Sequence, residues 1–253
     1  MMSLKQSPLS SPVVTYDFFE AVKRQYVYKL NAYHSMFGTM ILLQMIAVFL
    51  SIFGESAGTG QNNIYVQVNF YSANTIIFFT CIWAFMMALS LTNNASKSMM
   101  TTFVTNKQTN HLSNFLFMIT LSVVGGITAN LLGFFIKMIV FLFYRTEPKL
   151  VLLETIYVHD LFIGIYATIL YILFVFVIGY FIGELVQFHR SLIIFIPVLL
   201  FGALIVFINS IEPIVTFYIF ESSLIVFTVK LTVSIIVLFL ISTQIGNRLE
   251  VRK

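Results

Sequence analysis

Six apolar runs, each near the ~20 residues that a helix needs to cross a hydrocarbon core of ~30 Å, divide this chain and leave it little else to become. They extend over about Met36 to Phe53, Ser72 to Leu91, Phe115 to Tyr144, Leu161 to Ile182, Leu192 to Asn209 and Leu224 to Gln244. Between them only 9% of residues are charged, against 59% hydrophobic. A soluble domain carries roughly a quarter charged residues, so a water-exposed surface is excluded. The pattern predicts an all-α polytopic membrane protein with six transmembrane helices. No loop is long enough for a separate domain, so residues 1–253 read as a single transmembrane domain. The third run is too long for a perpendicular span. About thirty residues rise roughly 45 Å, which requires tilt, projection from the bilayer or a break near Gly125-Gly126.

An even number of spans puts both termini on one side, and lysine and arginine choose which. The side of the termini holds Lys5, Lys23, Arg24, Lys29, Lys97, Lys107, Arg190, Arg248, Arg252 and Lys253, whereas the other holds Arg145 and Lys149. Both termini are therefore expected in the cytoplasm. The same distribution disposes of a nucleic-acid role, because the basic residues flank apolar runs as anchors do. No cleavable signal peptide is expected, since the first long apolar run begins at Met36 and no small-residue cleavage pattern follows. The lone cysteine, Cys81, excludes an internal disulfide and any multi-cysteine metal site.

Catalytic signatures are missing. There is no phosphate-binding loop, no H-E-x-x-H and no G-x-S-x-G, and the histidines (His34, His111, His159, His189) are expected on separate loops and both faces. His159-Asp160 reads as a solvated polar stretch. Neither metal, cofactor nor catalytic residues are expected in the chain.

Two cytoplasmic segments carry more information. From Tyr16 to Tyr33, the residues Phe18, Phe19, Val22, Tyr26, Leu30 and Tyr33 recur at helical steps, with Asp17, Glu20, Lys23, Arg24 and Lys29 largely elsewhere. The expectation is an amphipathic interfacial helix at 16–33, aromatics in the acyl boundary and lysines toward anionic headgroups. In the loop Asn93 to Asn114, Met99, Met100, Phe103 and Val104 form a short apolar stripe, followed by the turn Thr105-Asn106-Lys107. Four apolar side chains on a short cytosolic helix must be covered by membrane or by a partner's groove.

An interfacial helix before six spans, a loop of some twenty residues between the second and third, and the run Phe103-Val104-Thr105-Asn106-Lys107-Gln108-Thr109-Asn110 resemble the membrane (permease) subunit of a type-2 ABC exporter. Val104-Thr105-Asn106-Lys107 departs from that family's frequent pattern by Lys in place of Arg, one position late, and by lacking an upstream Pro. The resemblance implies that Met99, Met100, Phe103, Val104, Thr105 and Lys107 form an ATPase-coupling loop. It also implies a short re-entrant element over Ile211 to Ser223. The implied partners are a cytosolic ABC ATPase, which would hold the ATP, and a second membrane subunit, identical or homologous. The implied setting is the bacterial cytoplasmic membrane, and the implied activity is export of an amphipathic or lipophilic substrate. The alternative is a non-transporting assembly, immunity or sensor subunit.

Lys137 and Lys230 fall inside spans, where facing lipid at the bilayer centre costs several kcal/mol. Both lie toward the outer half, so snorkelling to the headgroups is the expected solution. The other solution is a polar pathway, with Asn130 seven residues before Lys137 on the same helix face, and with Lys230. Gly125, Ala129 and Gly133 form a small-residue ridge at four-residue steps, as Gly179 and Gly183 do, and predict close helix contacts within one subunit or between two.

Overall fold

The computed structural model describes residues 17–52, 55–61, 64–70, 72–93, 107–144, 158–188, 192, 217–218 and 223–249. Its long elements are α1 (Phe18–Ala32), α2 (His34–Ile52), β1 (Glu55–Gln61), β2 (Ile64–Phe70), α3 (Asn74–Thr92), α4 (Lys107–Tyr144), α5 (Val158–Phe188) and α6 (Leu224–Leu249). Five of these helices, α2 to α6, are long and apolar enough to cross a membrane, which is the architecture of a helical membrane protein. They match five of the sequence runs. The fifth run, 192–209, lies outside the described residues apart from Leu192, as does most of the segment 211–223.

One hairpin adds to the helical set. Strands β1 and β2 pair antiparallel from Glu55 opposite Phe70 to Gln61 opposite Ile64. The β2 sequence I-Y-V-Q-V-N-F is rich in β-branched and aromatic residues and alternates Ile64, Val66, Val68 and Phe70 with the polar Gln67 and Asn69, a two-residue period suited to a strand. The span assignment, which leaves 54–71 as a connection between runs, overlooked that pattern.

Helix α4 runs unbroken for 38 residues, roughly 57 Å, and begins eight residues before the apolar run it contains. Of the alternatives of tilt, projection or a break near Gly125-Gly126, the break is absent. Those glycines serve contact instead: a Cβ on Gly126 would stand 2.6 Å from Ile169 Cγ1 and 3.1 Å from the Ile169 backbone nitrogen. Gly133 approaches Ala73 as closely, Gly179 meets Phe85 and Ala88, and Gly183 meets Thr92. Both small-residue ridges therefore close helix contacts within this chain.

Helix α5 packs on α3, α4 and α6, while α2 leans on α3 and α4. Polar side chains join the spans where lipid offers no alternative partner. Gln44 Nε2 donates to Thr80 Oγ1 at 3.2 Å and to the Gly125 carbonyl at 3.3 Å, and Trp83 Nε1 donates to Thr39 Oγ1 at 3.1 Å. The Trp83 ring meets Phe176 edge-on at 5.8 Å within the main core. Outward, α2 presents Leu42, Met45 and Phe49, and α6 presents Ile225, Val229, Val233 and Ile236.

Helix α1 differs from the expectation in where Lys29 points. It lies against α4, and the side it buries is Val22, Gln25 and Lys29, whereas Phe18 and Phe19 are exposed. Lys29, expected to point at headgroups, is 1% exposed. The reason is a polar seat on α4, described next.

Candidate functional site

The antiparallel order of α3, α4 and α5 creates two polar assemblies, one at each end of the bundle. At the end where α4 begins, Asn110, Ser113 and Asn114 fall at positions i, i+3 and i+4 and so share one helix face. Lys29 Nζ, reaching across from α1, donates to Ser113 Oγ at 2.6 Å, to Asn110 Oδ1 at 2.8 Å, to the Asn110 carbonyl at 3.2 Å and to Asn114 Oδ1. An ammonium brought out of water costs several kcal/mol unless its donors are satisfied, and here oxygen acceptors surround it. Burial still pushes its pKa down from 10.5 to about 7. A second bond, between Tyr26 OH and Thr120 Oγ1 at 2.7 Å, ties the same two helices further along.

The network continues inward. Asn114 Nδ2 donates to Tyr180 OH at 3.2 Å, and His111 Nδ1 lies 2.6 Å from the same hydroxyl. Glu184, one turn further along α5 and fully buried, faces that hydroxyl too. Helix α6 closes over the group at Gly246, where an added Cβ would stand 3.0 Å from His111 Nε2 and 3.2 Å from Glu184 Oε2. Lys29, Asn114, Tyr180, His111 and Glu184 thus bridge α1, α4 and α5 beneath α6. Contrary to the expected scatter over loops, His111 is buried in a helix, while His34 opens α2 and His159 sits in the first turn of α5.

At the opposite end, a cavity of about 500 Å³ enters the bundle between the start of α3, the last turns of α4 and the first turns of α5. Asn130, Gly133, Phe134 and Lys137 line it from α4, at i, i+3, i+4 and i+7; Asp160, Gly164, Thr168 and Tyr171 line it from α5. The bond from Asn130 Nδ2 to Thr168 Oγ1, 3.0 Å, crosses its lining near the contact of Gly126 with Ile169, and Tyr171 lines it one turn further along α5. His159 Nδ1 is 3.7 Å from Asp160 Oδ1 at the exposed rim.

No family model, curated protein or solved structure matches this chain. The two polar assemblies therefore carry the functional argument themselves.

Of the residues singled out in the sequence, Asn130 and Lys137 meet in this one cavity, and Asp160 joins them there. Lys230 does not line it. Its Nζ donates to the Phe217 carbonyl at 3.3 Å and stands 4.0 Å from the centre of the Phe217 ring. Met99, Met100, Phe103, Val104 and Thr105 lie outside the described residues, and Lys107 is the first residue of α4. Among the described residues, no three His, Cys, Asp or Glu side chains gather as metal ligands. The buried network was missed because Lys29 was counted as a cation facing the headgroups. A signal existed in the spacing of Asn110, Ser113 and Asn114, and in Glu184, an isolated acid at the end of an apolar run.

Proposed function

We propose that this chain is the membrane subunit of an exporter whose energy comes from a separate cytosolic ATPase, as its resemblance to type-2 ABC permeases implies. The observation that supports it is the cavity between α3, α4 and α5. A polar recess carrying Lys137, Asn130 and Thr168 is costly in a bundle of apolar helices, and such residues characteristically serve a pathway. Gly126 seats on Ile169 beside this lining, a close α4–α5 contact next to the recess. In this reading both termini are cytoplasmic, the chain resides in a bacterial cytoplasmic membrane beside a second membrane subunit, and ATP binds only on the motor.

The polar network at the other end suits the transmission step. The segment that precedes Lys107 in the sequence holds the residues read as the coupling element, and within two turns of Lys107 α4 is fastened to α1 by Lys29 and to α5 through Tyr180. A load applied to that segment by a motor would reach three helices together. The test is purification of the chain from its native membranes. A stoichiometric ATPase with a phosphate-binding loop, whose hydrolysis in proteoliposomes depends on the chain, is expected. Recovery of the chain without any ATPase, and unaltered ATP hydrolysis after adding it, would replace this reading with a non-transporting assembly, immunity or sensor subunit.

A further inference from the structure

The Tyr180 hydroxyl meets three polar side chains, and a count of protons decides how it serves them. A phenol gives one hydrogen bond and accepts two. Asn114 Nδ2 occupies one acceptor position, at 3.2 Å. That amide is held in its orientation because its Oδ1 accepts from the Lys29 ammonium, which offers only donors. One proton and one lone pair of Tyr180 are left to divide between two neighbours. His111 Nδ1 is 2.6 Å away, and Glu184 engages the hydroxyl through charge and a hydrogen bond.

Two arrangements satisfy all of these groups. In the first, Glu184 is ionised and accepts the Tyr180 proton, while His111 carries its own proton on Nδ1 and donates it to the Tyr180 oxygen. In the second, Glu184 is protonated and donates to Tyr180, Tyr180 donates to Nδ1, and His111 carries its proton on Nε2. The second holds one proton more, with every heavy atom in place. The route between them is a chain of existing contacts. A proton received at Nε2 releases the Nδ1 proton to Tyr180, and Tyr180 releases its own to the Glu184 carboxylate. Only N–H and O–H bonds form and break, and His111 and Tyr180 end neutral. His111, Tyr180 and Glu184 are all buried, which favours the state with fewest charges and so places the added proton on Glu184.

Helix α6 rests on both ends of this chain. A Cβ at Gly246 would stand 3.0 Å from His111 Nε2 and 3.2 Å from Glu184 Oε2. Proton uptake turns that surface from an acceptor nitrogen and a carboxylate into an N–H donor and a neutral acid. Among the described side chains, the buried ionisable groups at this end are Lys29 from α1, His111 from α4, and Tyr180 and Glu184 from α5. Thr92 of α3, against Gly183, and Gly246 of α6 do not titrate.

We propose that His111, Tyr180 and Glu184 form a proton-binding relay, in which one proton enters at the imidazole, passes through the Tyr180 hydroxyl and is held on Glu184. Lys29 and Asn114 are its positioning residues. The relay goes beyond the transport reading, since it binds its proton whether or not an ATPase is attached.

Titration of the purified full chain is the test. With His34, His159 and His189 replaced by Gln, His111 is the one imidazole left, and nitrogen-15 shifts of its ring distinguish Nδ1–H, Nε2–H and imidazolium. Infrared difference spectra follow the carbonyl stretch of a buried protonated carboxyl. On acidification that band should appear while the His111 proton moves from Nδ1 to Nε2, the two changes sharing one midpoint. Neither signal reports Lys29, whose pKa burial brings down to about 7. Glu184→Gln should remove the band and fix the tautomer; Tyr180→Phe should keep the band and abolish the shared midpoint. Should Glu184→Gln fail to fold, the shared midpoint in the chain that retains Glu184 decides alone. Conversion of His111 to imidazolium, a tautomer that stays fixed while the carboxyl protonates, or the absence of a titrating buried carboxyl overturns the proposal. A shared midpoint that survives Tyr180→Phe removes the hydroxyl from the path and overturns it equally.

Discussion

The ammonium of Lys29 stands 2.6 Å from the hydroxyl of Ser113, with one residue on α1 and the other on α4. That short distance means α1 belongs to the bundle, and it fixes the helix at the point where the preceding loop enters the membrane domain. Lys29→Met keeps the length of the side chain and removes its donors, leaving Asn110 Oδ1 and Asn114 Oδ1 without them. A buried acceptor left unsatisfied costs ~1–3 kcal/mol, so the variant should lose about 2–3 kcal/mol. The loss should appear as a lower unfolding midpoint in detergent and faster proteolysis within α1. A midpoint equal to that of the unsubstituted chain would show that the polar seat contributes nothing.

The same residue gives stability a pH dependence of definite sign. The folded chain holds the Lys29 pKa near 7, while the unfolded chain keeps the ordinary 10.5. Between these values the unfolded state binds more protons, so the Lys29 contribution should rise as pH increases from about 7 toward 10.5 and stay level below 7. The slope is at most about 1.4 kcal/mol per pH unit, the limit for one proton. Unfolding midpoints followed across this range in Lys29→Met should lack the rise. A rise of equal size in both proteins would assign it to another group.

Two glycines on α5 should respond oppositely to alanine. At Gly183 a Cβ would collide with Thr92, whose Cβ and Cγ2 would both be 3.0 Å away, so α3 and α5 must separate. At Gly164 the same Cβ finds only the Asn130 amide oxygen at 3.4 Å. Gly183→Ala should cost about 1–3 kcal/mol by overpacking, and Gly164→Ala should be neutral or gain up to ~1 kcal/mol from helix propensity. Comparable stability of the two variants would refute the close α3–α5 approach.

The contrast between the glycine ridges and α1 shows what the sequence made legible. Apolar runs of membrane-spanning length identified five described helices because their signal is local: every residue in the run must tolerate lipid. The spacing of Gly125, Ala129 and Gly133 likewise announced close packing without naming the partner, and the structure supplies Ala73, Met40, Thr80 and Ile172 among the neighbours of the ridge glycines. The face of α1 was illegible for the opposite reason. Lys29 and Gln25 look like solvated residues until Asn110 and Ser113, some eighty residues later, are known to oppose them. The i, i+3, i+4 spacing of Asn110, Ser113 and Asn114 marks a polar face on α4 but names no partner for it, so hydropathy assigned Lys29 to the wrong side. Asp160 was discounted similarly, as half of an exposed His-Asp pair, because its place at the cavity mouth depends on α4 lying alongside.

The two lysines inside apolar helices, Lys137 and Lys230, stand in different surroundings. Lys137 lines the cavity with Asn130 and Asp160, whereas Lys230 lies over the Phe217 ring and bonds to its carbonyl. If the cavity is the pathway, Lys137→Leu removes the cation from its mouth and should reduce transport by at least tenfold, the effect of losing ~1.4 kcal/mol of substrate interaction. Lys137→Arg should retain much of the activity, since charge and reach persist although the fork geometry differs. Lys230→Leu forfeits the cation–π contact, worth about 0.5–1 kcal/mol where exposed, and the bond to the Phe217 carbonyl, but removes no residue from the lining of the cavity, and should leave transport within a factor of a few. Substrate flux in proteoliposomes at matched protein levels is the measurement. Equal tolerance of leucine at both positions would make Lys137 a headgroup anchor, and loss at Lys230 alone would move the pathway to the α6 side.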